Sequence, residues 1–239
     1  HGPMVVDNNI LLSENSIINV SQGTAYMHNL IGGNILMRLA PSRFTPYHLP
    51  HSTAIAGLMG INQGDDRFYN NIFSCNAFSD NNQIYTGLNA FNGFPLFKDA
   101  WFQDKKRPTD FASLKLPIYI ASNLYYNKAL PFEREEKYIV DPRHNPEVSI
   151  EQLGELFFLK IKVNNNYEKI ETKLITTAVL GSAFQTETPF ENSDGSKLVI
   201  NTDFLNNLRT SKSPKPGPFE FLIIGENSIK VFDLKTVKN

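Results

Sequence analysis

One pattern recurs four times in the chain and limits the folds that it can adopt. In each copy an apolar or aromatic stretch leads to an asparagine, and two or more apolar residues follow. The asparagines are Asn9, Asn29, Asn71 and Asn123. The first interval is 20 residues, which matches one coil of a parallel β-helix, where each coil contributes short strands joined by turns. The repeat therefore predicts an all-β protein, a right-handed parallel β-helix.

Asparagine suits the corner of a coil for a physical reason. It tolerates the left-handed backbone region, and its side-chain amide can bond to the backbone. In stacked coils the amides can also bond to one another in a ladder, so we expect Asn9 and Asn29 to be neighbours in space. The later intervals of 42 and 52 residues indicate less regular coils or loop insertions. A β-sandwich is the competing fold, but the short hairpin signals that it requires are scarce.

The character of the chain changes near residue 131. We predict parallel β-helix coils over residues 1–131 and a carboxy-terminal antiparallel β region over residues 132–239, as a cap over the open end of the coils or a small β domain. Strand-like runs in the second part cover residues 156–163, 173–181, 219–225 and 228–232, the last two joined as a hairpin through Glu226 and Asn227. In the first part only residues 109–114 read as a helical turn.

Composition excludes several classes of partner. The chain has 239 residues and a formal net charge of −1, so no basic surface predicts nucleic acid or an anionic membrane as partner. No apolar run approaches the ~20 residues that span a bilayer. The single cysteine, Cys75, is read as a small buried hydrophobe. No phosphate-loop, dinucleotide, GxSxG or HExxH motif is present, and we expect no cofactor.

Polar residues concentrate where the repeat is interrupted, between residues 43 and 71. A long loop that carries His, Asp and Arg and returns to a coil is typical of a sugar site, and we take His51, Asp66 and Arg67 as substrate contacts. Asp65 and Asp66 are adjacent, so on a strand at most one of them faces a ligand. The alternative is a turn in which Asp66 pairs with Arg67.

Three other residues have a functional and a structural interpretation. His48 and His51 lie three positions apart, but no matching pair stands at zinc-site spacing, and we expect no metal. His28 precedes a repeat asparagine within an apolar run, which favours an interior histidine. Trp101 could stack on a sugar ring, although a lone tryptophan more often belongs to a core.

Several of these segments together resemble the β-xylosidases of glycoside hydrolase family 120. The resemblance is specific in the first 73 residues and weaker afterwards. It rests on His1-Gly2-Pro3-Met4-Val5-Val6-Asp7-Asn8-Asn9, Ser21-Gln22-Gly23-Thr24-Ala25-Tyr26, Pro50-His51-Ser52-Thr53-Ala54, Gly64-Asp65-Asp66-Arg67-Phe68-Tyr69-Asn70-Asn71, and on the later segments Glu191 to Ser196 and Pro216-Gly217-Pro218-Phe219.

The resemblance implies the carboxy-terminal portion of a retaining glycosidase that removes xylose from short xylo-oligosaccharides. It also implies that the catalytic Asp and Glu lie upstream of the His-Gly-Pro motif. We then expect no catalytic residue in this chain, no activity of the chain alone, and His1 as a substrate-binding residue beside the catalytic Glu. The partners would be an oligosaccharide substrate and the upstream part of the same β-helix.

Two other functions stay open. A polysaccharide lyase on the same fold would use Asp65 or Asp66 on calcium and an Arg or Lys as base. A non-catalytic carbohydrate-binding β-helix would bind oligosaccharides without any catalytic carboxylate. Fold alone does not decide between these functions, and the compartment is not indicated.

Overall fold

The fold is built mainly from short strands in parallel sheets. The computed structural model describes residues 1–75, 86–99 and 114–237. The strands are β1 (Met4–Asp7), β2 (Ile10–Leu11), β3 (Asn15–Asn19), β4 (Thr24–Met27), β5 (Leu30–Ile31), β6 (Asn34–Met37), β7 (Ala40–His48), β8 (Ile55–Ile61), β9 (Arg67–Tyr69), β10 (Ile72–Ser74), β11 (Tyr119–Ala121), β12 (Leu124–Tyr126), β13 (Ile139–Asp141), β14 (Ser149–Leu153), β15 (Leu156–Val163) and β16 (Gly225–Asp233). Short helices are α1 (Asn166–Lys169) and α2 (Thr177–Leu180), with 3-10 turns at Leu88–Phe91, Phe97–Asp99 and Leu234–Val237.

Two parallel sheets form the stack of coils. The first sheet has the order β1-β4-β9-β11, and the second has the order β13-β12-β10-β5-β2. Each coil contributes one strand to each sheet, and every neighbouring pair in these two sheets runs parallel. Parallel neighbours need a crossover connection and cannot be joined by a tight hairpin, so this pairing excludes the hairpin-linked β-sandwich. The parallel coils predicted from the repeat are confirmed, and their right-handed sense stays a prediction.

The asparagines of the repeat form a continuous ladder at the corner between the two sheets. The backbone N–H of Asn9 donates to Oδ1 of Asn29 at 2.9 Å, Asn29 donates in the same way to Asn71 at 2.9 Å, and Asn71 to Asn123 at 3.0 Å. The side-chain amides repeat the pattern at 3.1, 3.0 and 3.0 Å. The expectation that Asn9 and Asn29 are neighbours is therefore confirmed.

The ladder ends on a carboxylate. Asn123 donates its side-chain amide to Oε1 of Glu135 at 2.8 Å, and the Tyr125 hydroxyl donates to Oε2 of the same residue. Burial raises the pKa of Glu135 to about 7. We call Asn9, Asn29, Asn71, Asn123 and Glu135 the amide ladder.

The sequence suggested that the ladder asparagine itself has the left-handed conformation at each corner, and this is wrong. The left-handed residue is the preceding one, with φ of 56° at Asn8, 54° at His28, 57° at Asn70 and 64° at Ser122. The ladder asparagine instead supplies its amide to the next coil and to a backbone carbonyl of a neighbouring strand. The two tasks that we assigned to one residue are thus divided between two adjacent residues.

Side chains that point into the coils stack rung on rung. The rings of Tyr26 and Phe68 lie parallel, with centroids 4.7 Å apart, and those of Phe73 and Tyr125 do the same at 5.0 Å. Stacking follows from the register, which places Tyr26 opposite Phe68 and Phe73 opposite Tyr125. Aromatic rings one strand apart are close to the offset arrangement that they prefer.

The long intervals between repeat asparagines contain insertions. Strand β5 pairs directly with β10, and β10 pairs directly with β12, so no further coil separates Asn29, Asn71 and Asn123. The 42-residue interval between Asn29 and Asn71 contains β6, which pairs in parallel with β3, and then the antiparallel hairpin of β7 and β8. Trp101 and residues 109–113 of the expected helical turn lie outside the described residues.

The carboxy-terminal half contains the antiparallel sheet that the sequence predicts, in the order β14-β15-β16. Its details differ in two places. Residues 177–180 form one turn of helix, α2, instead of a strand. The hairpin predicted at Glu226 and Asn227 is also wrong, because β16 runs unbroken from Gly225 to Asp233 and pairs with β15 along its length. Residues 219–224 precede this strand as irregular chain with Phe219 and Leu222 buried.

The second half covers the outward faces of the parallel sheets. Leu159, Ile161 and Val163 pack against outward residues of the second sheet, and Ile175 and Phe190 pack against outward residues of the first. Burial of apolar residues on both sides of a parallel sheet is usual. The contacts lie on sheet faces, so a cap over the end of the coils stays a prediction, as does a domain boundary at 131. The parallel pairing itself continues to Asp141 through β13.

Candidate functional site

The hairpin of β7 and β8 lies where the sequence predicts a sugar-binding loop. Its register places Thr45 opposite Met59 and Tyr47 opposite Gly57. A side chain at Gly57 would bring its Cβ within 2.8 Å of the Tyr47 hydroxyl, so the Tyr47 ring lies over this glycine. On a strand, alternate residues share a face, and Thr45 and Tyr47 therefore project from the same side of the hairpin.

His1 is held between this hairpin face and the first coils. Its Nδ1 lies 2.9 Å from Nε2 of Gln22, and its Nε2 lies 3.1 Å from the carbonyl oxygen of Met59 and 3.0 Å from the Thr45 hydroxyl. The Tyr47 ring meets the imidazole edge to face, with centroids 5.9 Å apart. Side chains from two separate parts of the chain thus fix one half-buried imidazole.

The partners of His1 also determine its tautomer. The Gln22 amide is oriented by its Oε1, which accepts the Asn62 N–H at 3.0 Å, so Gln22 presents a donor to Nδ1 of His1. The Met59 carbonyl can only accept. The proton of the neutral ring consequently lies on Nε2, an assignment that follows from the hydrogen-bond network.

His51 lies at the tip of the hairpin and contacts the second half of the chain. Its Nε2 is 2.6 Å from Oε1 of Glu191, with the two side chains 46% and 18% exposed. His51 adopts a left-handed φ of 52°, which lets the tight turn present the ring outward. Glu191 was not singled out from the sequence for this contact. The pair joins the hairpin tip to the turn around Gly195, which lies under the same imidazole.

Asp66 is fully buried within the coils. Its Oδ2 accepts a hydrogen bond from Nδ2 of Asn19 at 2.8 Å, and its Oδ1 accepts one from the Thr24 N–H at 3.1 Å. Burial raises the pKa of Asp66 to about 8. The substrate contact predicted for Asp66 gains no support from this position, because both oxygens are engaged in the interior.

Arg67 is buried as well, against the outward face of the first parallel sheet. Its Nε donates to the Leu180 carbonyl at 3.1 Å and its Nη2 to the Ser182 carbonyl at 2.7 Å, while Nη1 bonds to Asp65 at 2.6 Å. Tyr119 and Phe190 are stacked on the guanidinium. We call Arg67 with these five residues the Arg67 cluster. The cluster joins sheet to covering segment, which leaves the predicted substrate contact of Arg67 without support.

The two adjacent aspartates behave differently from both sequence interpretations. Arg67 forms its ion pair with Asp65 and not with Asp66. Oδ2 of Asp65 also accepts a hydrogen bond from the Phe184 N–H at 2.7 Å. Burial raises the pKa of Asp65, although Arg67 acts in the opposite direction. The two side chains enter different surroundings, although Asp65 has a left-handed φ of 57° and both residues precede strand β9.

His28, Asp7 and the groups that could bind a metal complete the description of the polar residues. His28 is an interior histidine, with Nδ1 3.1 Å from the Lys215 carbonyl, Nε2 3.1 Å from the Asn70 amide, and a pKa lowered well below its usual value by burial. Asp7 has Met27 as its partner on the next strand, so no carboxylate faces it there. Over residues 1–75, 86–99 and 114–237, no group of three or more His, Cys, Asp or Glu could hold a metal ion. No helix within these ranges is long and apolar enough to cross a membrane.

A second concave surface was not anticipated. A cavity of about 730 Å³ lies along the outward side of β11 and is lined by Tyr69, Tyr119, Lys173, Lys212 and residues around them. These residues come from distant parts of the chain, which is why no local motif marks them. One signal was present in the sequence: Tyr119 follows Arg67 by the same 52 residues that separate Asn71 from Asn123, and the two are paired in register.

Comparison with known proteins gives one informative match. No family model matches the sequence, and no curated protein matches it. Among solved structures the chain matches that of XylC in complex with xylose, with a TM-score of 0.89 and 36% sequence identity. The match covers 97% of this chain and 36% of XylC, so the chain spans about a third of that protein. The comparison supports the glycoside hydrolase family 120 xylosidase-like fold that the sequence resemblance implies.

Proposed function

We propose that this chain is the carboxy-terminal portion of a retaining glycoside hydrolase of the β-xylosidase type, which acts on short xylo-oligosaccharides. The observation that carries the proposal is the match to XylC, a structure solved with xylose, at 36% identity over 97% of the chain. Identity at this level over a whole β-helix segment extends beyond the shared architecture to the side chains. The sequence resemblance to the same family supports the proposal independently through the His1-Gly2-Pro3 and Asp65-Asp66-Arg67 segments.

The hairpin face is the part of the chain that we assign to the sugar. His1, Thr45 and Tyr47 bring an imidazole ring, a hydroxyl and a phenol ring together within one small area. A pyranose has hydroxyl groups around its edge and C–H groups on its faces, and aromatic side chains with a polar atom complement both. His51, at the tip of the same hairpin, extends this surface toward Glu191.

We further propose that the two catalytic carboxylates belong to the upstream part of the same β-helix, so that this chain alone binds but does not hydrolyse. Retention of configuration needs two carboxyl groups about 5 to 5.5 Å apart. Asp65 and Asp66 are engaged by Arg67, Asn19 and backbone N–H groups. This arrangement also argues against a lyase with calcium on either aspartate.

The test combines binding and turnover. Xylobiose binding to the chain is measured by calorimetry, and turnover of an aryl xyloside is assayed with the chain alone and joined to the upstream part of the β-helix. We expect binding by the chain, turnover only by the longer protein, and a product of retained configuration. Binding without turnover by the longer protein would favour the non-catalytic module, and an unsaturated product from a uronate polymer with calcium would favour the lyase. If neither binding nor turnover is observed, the proposal is overturned.

Two substitutions locate the sugar on the hairpin. Tyr47→Ala removes the ring, and Gly57→Ala displaces it without removing any functional group, because the new Cβ would overlap the tyrosine. We expect each to weaken xylobiose binding about tenfold, the loss of one aromatic contact of roughly 1.4 kcal/mol. Tyr138→Ala, at another exposed tyrosine, is the control. If all three variants bind xylobiose with equal affinity, the hairpin is not part of the sugar site.

A further inference from the structure

The cavity along β11 differs in charge from the rest of the molecule. Its lining includes five cationic side chains, Lys98, Arg134, Lys137, Lys173 and Lys212, and two carboxylates, Glu136 and Glu171. The whole chain has a formal net charge of −1, so positive charge is concentrated in this cavity. We call this cavity the amine groove.

Three of the five cations have no anionic partner within the part of the chain that the structure describes. Arg134 pairs with Asp99 at the rim at 2.6 Å, and Lys137 pairs with Glu171 at 3.3 Å, with both side chains well exposed. No ion pair within 4.0 Å involves Lys98, Lys173 or Lys212 among these residues. Like charges that face one cavity repel one another, and an anion placed among them relieves the repulsion.

Aromatic rings line the same groove between the amines. Nζ of Lys173 lies 5.4 Å from the centroid of the Tyr69 ring, and Phe97 lies 6.0 Å from Tyr119. One face of Tyr119 is fixed against the Arg67 guanidinium at 4.4 Å, which holds that ring rigid. Phe97 is 51% exposed and, with Tyr119, belongs to the lining of the groove.

Volume and position complete the description. A cavity of about 730 Å³ falls within the range of small-molecule sites and accommodates several sugar rings. In the first sheet, β11 and β1 are at opposite edges, and three strand spacings of about 4.8 Å separate them by roughly 14 Å. The groove therefore lies at the opposite edge of the sheet from β1, the strand that follows His1.

We infer that the amine groove binds an oligosaccharide that bears a carboxylate, such as a xylo-oligosaccharide carrying a uronic acid. The amines bind the carboxylate and the aromatic rings contact the sugar faces, so both halves of the lining are used. The saccharide part of this inference rests on the proposed function; the preference for an acidic sugar rests on the groove. A neutral xylo-oligosaccharide offers the lysines no anion.

The test compares an acidic with a neutral sugar on the 239-residue chain. Calorimetry measures binding of xylotriose, of xylotriose carrying one glucuronic acid, and of sodium sulfate at matched ionic strength. We expect the acidic sugar to bind about tenfold more tightly than xylotriose, since two lysines each contribute a few-fold as partly exposed charge pairs. Sulfate should bind weakly because it makes no use of the rings.

Substitutions of matched charge locate the effect. Lys173→Gln with Lys212→Gln removes two groove amines, and Lys230→Gln with Lys235→Gln removes two exposed amines on the carboxy-terminal segment. We expect the groove variant to lose the preference for the acidic sugar and the control variant to keep it. Glu136→Gln with Glu171→Gln should tighten acidic binding a few-fold, a gain that a damaged fold could not produce.

Each contrary outcome has a distinct meaning. If xylotriose binds but the acidic sugar binds no more tightly, or if the control variant loses the preference equally, the groove inference is overturned and the proposed function stands. Sulfate that binds as tightly as the acidic sugar also overturns it, because the site is then one for any anion. If neither sugar binds, the inference and the hairpin proposal fail together.

Discussion

The interior corner of the coils and the outward faces of the sheets are both held by buried polar groups, but in opposite ways. At the corner, one residue type repeats and each amide contacts its equivalent in the next coil. On the outward faces, single arginines make contacts that occur once. Arg67 reaches the carbonyls of residues 113 and 115 positions away, and Arg209 reaches Oδ1 of Asn8, 201 positions away, at 2.6 Å.

The two kinds of contact therefore have different structural roles. A repeated bond sets the register between coils and tolerates the loss of one member at its end. A unique buried cation attaches a covering segment at one point, and its loss leaves several carbonyls and a carboxylate without a partner. Arg209 illustrates this, because its side chain is fully buried, bonds to three backbone carbonyls and pairs with Glu220 at 3.3 Å. We expect the outward attachments to be the more sensitive of the two.

Arg67→Met gives the largest expected effect. The substitution leaves Asp65 buried without its cation and the carbonyls of Leu180 and Ser182 without a donor. Breaking a buried pair in this way costs about 3–5 kcal/mol of unfolding free energy. Urea unfolding measures it, with Arg134→Met as control, where the exposed pair should contribute less than about 1 kcal/mol. Similar losses in both variants would contradict the contrast between buried attachment and surface pair.

Glu135→Gln tests the carboxylate end of the ladder through pH. Burial raises the pKa of Glu135 from the ordinary 4.5 to about 7, so the folded protein binds this proton more tightly than the unfolded chain does. The stabilisation from the protonated form is complete below about pH 4.5 and is lost as pH rises to about 7, by a total of order 3 kcal/mol.

The measurement is the unfolding free energy of both proteins between pH 4 and pH 8. The variant keeps an acceptor for Asn123 and has no proton to lose, so its stability relative to the native protein should improve as pH rises. Asp66, with a pKa near 8, contributes equally to both proteins and cancels in the difference. A difference that does not change with pH would contradict the assignment.

Asn71→Ala and Asn9→Ala compare the middle and the end of the ladder. Asn71 accepts two bonds from Asn29 and donates to Asn123 and to the Tyr26 carbonyl, so its loss leaves several buried groups unpaired and costs about 3 kcal/mol. Asn9 is only half-buried and its backbone N–H still donates to Asn29, so about 1 kcal/mol is expected. Thermal or urea unfolding gives both values, and an equal cost at the two positions would contradict the ladder order.

His51→Ala gives the smallest expected effect. The pair with Glu191 is partly exposed, and such pairs contribute less than about 1 kcal/mol. Its loss should free the hairpin tip from the turn at Gly195 with little change in overall stability. Amide hydrogen exchange should therefore rise in residues 49–54 and stay unchanged in β4 and β9. Faster exchange throughout the first parallel sheet would show that the hairpin supports the coils as well.

The repeated part of the molecule could be predicted from sequence and the unique part could not. The same hydrogen bonds are made at each corner and require the same residue type. Asn9, Asn29, Asn71 and Asn123 therefore indicated which residues of neighbouring coils are paired, even where 42 or 52 residues separate them. The intervals alone did not show that the extra residues were insertions. Nor did they show that the left-handed residue precedes each ladder asparagine.

The sequence marked the segments that carry the candidate site but not the surroundings of each residue. His51 was predicted on a long loop and lies at the tip of a hairpin that His1 contacts, whereas Asp66 and Arg67 are buried. Substrate contact stays a prediction for all four residues. A carboxylate and a guanidinium are usually exposed. Here the covering segment at residues 180–190 buries Arg67, and Asp66 is buried within the coils against Asn19 and Thr24. The hydrogen-bond partners of Arg67 lie more than a hundred residues away in the sequence, and no periodic pattern links them to it.

The ladder has a direction as well as a spacing. Asn29, Asn71 and Asn123 each accept a hydrogen bond on Oδ1 and donate one from Nδ2 to the next member. The hydrogen bonds of the ladder therefore all point one way, from the first coil toward the last. Glu135 accepts from Asn123 and from the Tyr125 hydroxyl, and its ionised form, which predominates above a pH of about 7, has no hydrogen to donate. A carboxylate in place of a carboxamide thus ends the ladder, because a further coil in the same register would find an acceptor where each earlier coil found a donor.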